Sequence, residues 1–450
     1  GDELKEPWVQ QQFPPRNQGS IIRSLRLLGP AAVNVSAHEW ITPIVAAFMA
    51  RSFNPEEAVA GYALALSLAF FLTLPRLRIQ ALTLVFVEDN QSWRAVAIFT
   101  LICAGVVVAI TSIVAFTPLS SIIFLDLFRI DKSLANEAMA ALKVLTLWGL
   151  FSVIRGHLYG VALRFERASL LWLGAATGLA TATLVSLFLY NFFPEFNSRI
   201  GAIAVTSAVT LECAVASIGL LVRRKPDLKI ARVRPTQNRI MRFFIPLLFA
   251  ALLPSLTFPL INFAMARSIN PELSITAFTL AFGVFSIMSI PSNGIQPTSL
   301  ALFGLKESPQ FIRFFAITVG ILTAVPIILL ALSDAASGWV FGTLLGADDA
   351  VKTMSIQALQ VLMLLPPWLA LEQLYAAAIM SNKEPRGIVY INIGRLILLL
   401  LLVFGSLFLE TAEGVLVGSG IMSLTLLAEA IFAVIFGRSA FRSLRFRYAN

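Results

Sequence analysis

A membrane crossing needs about 20 predominantly apolar residues. Read between its proline, glycine and charge clusters, the chain holds twelve such runs, near residues 28–51, 58–88, 93–117, 135–164, 168–192, 199–223, 241–267, 273–304, 310–334, 348–380, 386–409 and 413–437. No other feature narrows the fold as much, because in hydrocarbon a single segment satisfies its backbone polar groups only as a helix. The expectation is an all-α polytopic membrane protein with 12 transmembrane helices. Composition agrees: hydrophobic residues are 58% of the 450 and charged residues 13%, against roughly 25% charged in a soluble domain. Too few polar side chains remain to clothe a water-facing surface. That excludes soluble enzymes, and the net charge of +9 sits in short loops rather than in a patch for nucleic acid. Cys103 and Cys213 lie inside apolar runs and read as small core residues, with no disulfide framework or metal site.

The runs divide the chain into an N-terminal tail (1–27), a first six-helix bundle (28–223), a basic linker (224–240), a second six-helix bundle (241–437) and a basic C-terminal tail (438–450). Residues 1–27 carry no apolar core, so no cleavable signal peptide is predicted within them. The short segment 120–131, with Asp126 and Arg129, reads as an interfacial amphipathic piece rather than a span. Lys and Arg outside the spans concentrate in the two tails and the even-numbered loops, which predicts both termini on the cytoplasmic side of a cell membrane, plasma or bacterial inner. The densest cluster, Arg223 to Arg242, reads as a topogenic linker, with binding of anionic lipid as a second reading.

The chain also repeats itself. Residues 43–56 (PIVAAFMARSFNPE) and 259–272 (PLINFAMARSINPE) share eight of fourteen identities at an offset of 216. The same offset pairs Pro30 with Pro246, Pro75 with Pro291, Gln80 with Gln296 and Tyr159 with Tyr375. Six spans per half is an even number, so the halves enter the bilayer from the same side and are related by a pseudo-two-fold axis along the membrane normal. Two such bundles around a cavity suit alternating access. Gly156 with Gly160 and Gly174 with Gly178 permit close helix approach.

At this point the sequence resembles the multidrug/oligosaccharidyl-lipid/polysaccharide (MOP) exporter superfamily, and within it the progressive ankylosis family. The resemblance rests on the two-half organisation, the Pro-interrupted second span, the segment Gly61 to Ile98 with its LVFV run at Leu84 to Val87, His157 within RGHLYGVAL, and the stretch Pro259 to Arg267. It implies a MATE/MOP-like fold and an exporter of small polyanions, with citrate, ATP or pyrophosphate as candidate cargo.

Ionisable groups inside the hydrocarbon are expensive and mark functional sites by default. His38, Glu39, Arg76, Arg78, Arg155, His157, Glu212, Glu372 and Arg395 all fall about 10 to 18 Å from the inner surface at a rise of ~1.5 Å per residue. The repeat supplies an internal control. It converts Arg76 to Ser292, Arg78 to Gly294, Arg155 to Leu371 and His157 to Gln373, so packing alone does not require these charges. Arg76, Arg78, Arg155, His157, Gln80, Asn293, Gln296 and Gln373 are therefore the candidate substrate-binding residues. Arginine suits the task because its planar fork holds carboxylate or phosphate in bidentate fashion. The competing reading is that Arg76 or Arg155 forms a buried ion pair with Glu39, Glu212 or Glu372. The Pro75 and Pro291–Gly294 breaks mark paired discontinuous helices, a pointer to a transport site.

His38, Glu39, Glu212 and Glu372 are candidates for coupling a proton or ion, since His and a buried carboxylate titrate near neutrality. Arg395 and Glu429 read as lone structural charges, and Lys143 as a snorkelling residue. No HExxH, GxSxG or phosphate-cradling loop is present, so neither enzyme activity nor a cofactor is expected. The resulting expectation is a monomeric secondary transporter of a small anionic substrate by rocking-bundle alternating access. A lipid-linked oligosaccharide or polysaccharide flippase and a cation-coupled multidrug exporter are the alternatives.

Overall fold

The computed structural model describes residues 21–449 apart from 23, 26, 30–39, 88–89, 165, 166, 168, 223–235, 305–306, 382–385 and 409–412. Among the described residues the protein is helical, with no strand. Among the described residues nine helices are long and apolar enough to cross a membrane, and the bent pair Asp349–Leu362 and Pro366–Ser381 makes a tenth. The other two spans are in pieces. Span one comprises helical residues between 21 and 29 and the helix Ile41–Met49, and span seven joins Gln237–Ser255 to Thr257–Ala266. The spans are numbered one to twelve in chain order, and the end of the molecule that carries the chain termini is called the terminal end.

The proline signals are realised as breaks. Span two runs as Pro55–Leu72, stops over Thr73 to Pro75 and restarts as Arg76–Phe86. Pro75 has no N–H to continue the ladder, and Thr73 Oγ1 donates to the carbonyl of Ala69 at 2.7 Å. Span eight breaks at the repeat-related place, between Pro271–Met288, a turn at Ile290–Asn293 and Ile295–Gly304. Both spans begin with Pro at the first helical turn, where its missing N–H costs nothing. The fourth spans of the two halves differ. Lys132–Arg164 is one continuous helix, whereas span ten bends by 47° just ahead of Pro366 and Pro367, whose rings disfavour helix in the preceding residue.

The segment expected to be interfacial forms a short helix, Leu119–Ser121, and a wide π-helical turn, Ile122–Leu127. A second π-helical turn, Gly338–Leu344, starts 216 residues later. The two turns are capped reciprocally. Arg51, from the first half, donates from Nη2 to the carbonyls of Thr343 and Leu344 at 2.7 and 2.5 Å. Its repeat mate Arg267 donates from Nε and Nη2 to the carbonyl of Leu127 at 3.1 and 2.7 Å. Helix ends leave carbonyls without intrahelical partners, so each half closes the other's turn. Both arginines belong to the repeated Met-Ala-Arg-Ser motif, and Gly346 (φ 75°) leaves room for the Arg51 stem, since a Cβ there would stand 2.6 Å from Arg51 Cγ.

The core is distributed unevenly along the membrane axis. Away from the terminal end, one continuous cluster unites residues of both halves, from Ile41, Met49 and Tyr62 to Met265, Phe278 and Phe285. Asn262 Nδ2 donates to the carbonyl of Ala63, and Thr276 Oγ1 to that of Glu56, across the same contact. Toward the terminal end the core splits in two. One cluster is built on the first half around Ile79, Leu82, Val96 and Phe99, the other on the second half around Ile295, Phe303, Ile312 and Leu374. The halves are joined far from the termini and separate toward them.

The first spans cross this split. Leu28 of span one is buried in the second half's cluster, while Ile240 and Phe244 of span seven are buried in the first half's. Leu28 and Phe244 are related by the same offset of 216. Phe244 packs edge-to-face on Phe99 at 5.3 Å, and Gln237 Nε2 donates to the carbonyl of Ala95 at 2.9 Å.

Candidate functional site

The break in span two aims Arg76 into the first half. Its backbone N–H bonds to the carbonyl of Thr73 at 3.1 Å and its Nε to Thr73 Oγ1 at 3.2 Å. The guanidinium carbon then lies 4.5 Å from the Phe70 ring centroid and 5.0 Å from that of Trp148, two rings that themselves pack at 5.2 Å. Cation–π contacts of this kind contribute about 0.5 to 2 kcal/mol each and offset part of the lost hydration. Arg76 makes no ion pair with a described residue, and Glu39, one suggested partner, lies outside the described residues together with His38. Arg76 and Arg155 both line a cavity of about 90 Å³ with Thr42, Tyr62, Phe70 and Trp148.

Arg155 is neutralised where Arg76 is not. Its Nη1 stands 3.0 Å from Glu212 Oε2, which also accepts from the Tyr159 hydroxyl at 2.9 Å. Glu212 is fully buried, and a buried carboxylate persists only when paired and hydrogen-bonded. Span five makes this arrangement possible through its small residues. A Cβ at Gly174 would stand 2.1 Å from the Tyr159 oxygen, and one at Gly178 would stand 2.1 Å from Glu212 Oε1. The other small pair, Gly156 and Gly160, seats span four on the inner part of span two against Gln80 and Thr83.

The remaining candidates are placed apart from this pocket. His157 is buried in the interface of spans two and four, with Nδ1 3.0 Å from Thr83 Oγ1. Because the Thr83 hydroxyl donates to the Ile79 carbonyl, Nδ1 is the protonated ring nitrogen. Arg78 and Gln80 are half-buried on the same helical segment and do not line the cavity. Asn293 is half-buried in the span-eight break, and Gln296 Nε2 contacts Met380 Sδ at 3.3 Å. Gln373 donates to Glu372 Oε2 at 2.6 Å.

The second half has its own charged cluster, which corrects the reading of Arg395 and Glu429 as lone charges. Arg395 Nη1 pairs with Glu429 Oε1 at 2.9 Å, and its Nη2 donates to Thr257 Oγ1 at 2.8 Å. Glu372 lies close enough to feel both charges. The two pairs are invisible in one-dimensional sequence because they join different helices. The sequence does relate their acids: Glu212 and Glu429 fall 217 residues apart on spans six and twelve. Tyr159, Trp148 and Phe70 were not anticipated. Only Tyr159 carried a signal, its repetition at Tyr375.

The lipid reading of the 223–242 linker falls mostly on 223–235, outside the described residues. Among the described residues no group of His, Cys, Asp and Glu could hold a metal ion.

Comparison with known proteins agrees with this architecture. Residues 20–207 match the family model of the progressive ankylosis protein (ANKH). No curated protein matches the sequence. Among solved structures, an inward-facing conformation of a multidrug resistance MATE family transporter of the MOP superfamily is similar with a TM-score of 0.66 and 16% identity, over 95% of this chain and 99% of that one. An outward-facing conformation of such a transporter gives 0.61 and 16%, over 95% and 97%. A MOP superfamily transporter from Pyrococcus furiosus, described as having a binding pocket of reverse polarity that suggests a different function, gives 0.58 and 15%, over 95% and 97%. The chain is thus a multi-pass membrane protein of MATE/MOP fold whose sequence resembles the progressive ankylosis family over its first part.

Proposed function

We propose that this chain, with its MOP fold and its ANKH-like first part, is a secondary active transporter that exports small polyanions of the citrate, ATP or pyrophosphate class. One observation carries the reading: Arg76 presents a guanidinium to a cavity, held by two aromatic faces, without a carboxylate among the described residues to neutralise it. With Arg155 and Glu212 cancelling each other, the pocket keeps one positive charge for a ligand. At about 90 Å³ it falls well below the roughly 300 to 1,000 Å³ of pockets that take a whole small-molecule ligand, which suits one carboxylate or phosphate group. The rest of a polyanion then lies in the cleft between the halves. The neighbour from Pyrococcus furiosus, whose binding pocket is described as of reverse polarity and suggesting a different function, is a precedent for variation in pocket charge on this fold.

The distribution of the core supports alternating access. Rocking the halves about their shared contact closes the terminal end, which we place in the cytoplasm of a cell-membrane protein acting as a monomer, and opens the far end. The second half, with two carboxylates, Glu372 and Glu429, around one guanidinium, Arg395, offers a place for a coupling proton. Loading that proton neutralises the cluster, and releasing it restores a negative charge, so the cluster's energy differs between states as coupling requires. The pocket would equally take one of the two phosphates of a lipid-linked sugar's pyrophosphate, whose tail would remain in the bilayer.

The test is flux of radiolabelled citrate, ATP and pyrophosphate in proteoliposomes of the full chain, with a neutral sugar, a lipid-linked sugar and a cationic dye as controls. Anion flux is expected in the wild type, and at least a tenfold loss in Arg76→Ala at unchanged thermal stability. Arg76→Lys keeps the charge but not the planar fork and is expected to fall between the two. Anion flux unaffected by Arg76→Ala, or movement only of dye or lipid-linked sugar, would rule the reading out.

A further inference from the structure

At the terminal end of the second half, the start of span nine (Pro309–Leu332) and the end of span twelve (Gly414–Ala449) diverge around a groove of about 640 Å³. Three arginines converge on it: Arg313 from span nine, and Arg438 and Arg442 from span twelve. The latter two are four residues apart and share a helix face. Tyr375 forms the floor, its ring 5.5 Å from that of Phe441. None of the three arginines is ion-paired or hydrogen-bonded through its side chain to a described residue. Three like charges around one opening repel one another unless an anion lies between them.

The surface beyond the groove identifies the source of that anion. On span nine the exposed row continues from Phe314 to Ile321, seven residues on. On span twelve Ile431 and Ile435 are exposed on the same face, seven residues before Arg438 and Arg442 respectively. Each row is thus apolar toward the middle of the membrane and basic in its turns at the terminal end, where the lipid headgroups lie. A free anion would make no use of the apolar rows, whereas a phospholipid uses both parts. The repeat again serves as a control: the counterpart of Arg313 is Ala97, and those of Arg438 at offsets of 216 and 217 are Val222 and Leu221. Arg442 falls on Pro226 or, at 217, on Lys225, so the control bears on Arg313 and Arg438, where the fold does not need a charge.

We propose that this groove binds the phosphate headgroup of an anionic phospholipid, with its acyl chains lying along the exposed faces of spans nine and twelve. Such a lipid ties span nine to span twelve at the terminal end of the second half. Membrane charge attracts juxtamembrane arginines by about 1 kcal/mol each, so each arginine lost is expected to raise the lipid concentration needed by about fivefold.

The experiment is the thermal unfolding midpoint of the full chain in neutral detergent, titrated with phosphatidylglycerol, with phosphatidylcholine or with inorganic phosphate. Wild type, Arg442→Gln, the double variant Arg313→Gln/Arg438→Gln and Arg94→Gln are compared, Arg94 being exposed at the same end of the first half. Phosphatidylglycerol alone is expected to raise the midpoint. The half-effective concentration should rise about fivefold in Arg442→Gln and about 25-fold in the double variant, and stay unchanged in Arg94→Gln. If the double variant does not fold, the exposed Arg442→Gln decides alone. An equal response to phosphatidylcholine, a wild-type titration in the groove variants, or inorganic phosphate reproducing the effect would overturn the assignment, the last by showing a free-anion site.

Discussion

Arg76 and Arg155 look alike in sequence, and the fold gives them opposite surroundings. Arg155 has a fully buried carboxylate as partner, so truncating it strands a charge. Removing one member of a buried pair costs about 3 to 5 kcal/mol, and Arg155→Ala is expected to lower the unfolding midpoint in detergent sharply. Arg155→Ala/Glu212→Gln should recover most of that loss, because no charge is then left unpaired; a double variant as unstable as the single one would show that the guanidinium acts through packing instead. Arg76→Ala leaves no acid behind among the described residues and is expected to spare the fold. The repeat singled out both arginines, since Ser292 and Leu371 stand in their places in the other half. What separates them was not legible, because it depends on Glu212 arriving from span six and on Gly178 letting it lie against span five.

Among the elements, the reciprocal arginine caps explain why one short motif is the best-preserved part of the repeat. The Met-Ala-Arg-Ser segments do not merely build similar helix ends; each reaches the π-helical turn of the other half. Hydrogen bonds from charged donors contribute about 1.5 to 3 kcal/mol, so Arg51→Ala/Arg267→Ala is expected to raise the population separated at that end by about tenfold or more. Spin labels at residues 53 and 339 read this as a gain in the longer distances, and an unchanged distribution would deny the caps a latching role. Gly346→Ala should act in the same direction, since φ 75° disfavours a side chain and its Cβ would collide with Arg51. Run lengths and Pro75 with Pro291 announced the spans and their breaks. The π-helical turns had no such signal: an amphipathic segment with Asp126 and Arg129 reads the same whether its turns are tight or wide.

For the whole molecule, twelve spans in two parallel halves followed from the apolar runs and the 216-residue offset. Their mutual arrangement did not, since periodicity reports which face is apolar and not which neighbour covers it. If the halves rock as proposed, adding transported anion should shorten distances between labels at residues 93 and 310, at the terminal end, while lengthening those between 53 and 339. Changes of the same sign at both ends would exclude rocking about the shared core. The crossing of spans one and seven reaches further back. Leu28 completes the second half's core and Phe244 the first half's, so neither half is a finished object. A lone half carries an unfilled slot and a displaced segment that fits such a slot. Residues 1–222 made alone should accordingly pair with a second copy of themselves, trading first helices. A duplicated gene of this kind descends most simply from a homodimer whose subunits already exchanged that segment, and fusion turned a partnership between copies into a permanent internal one.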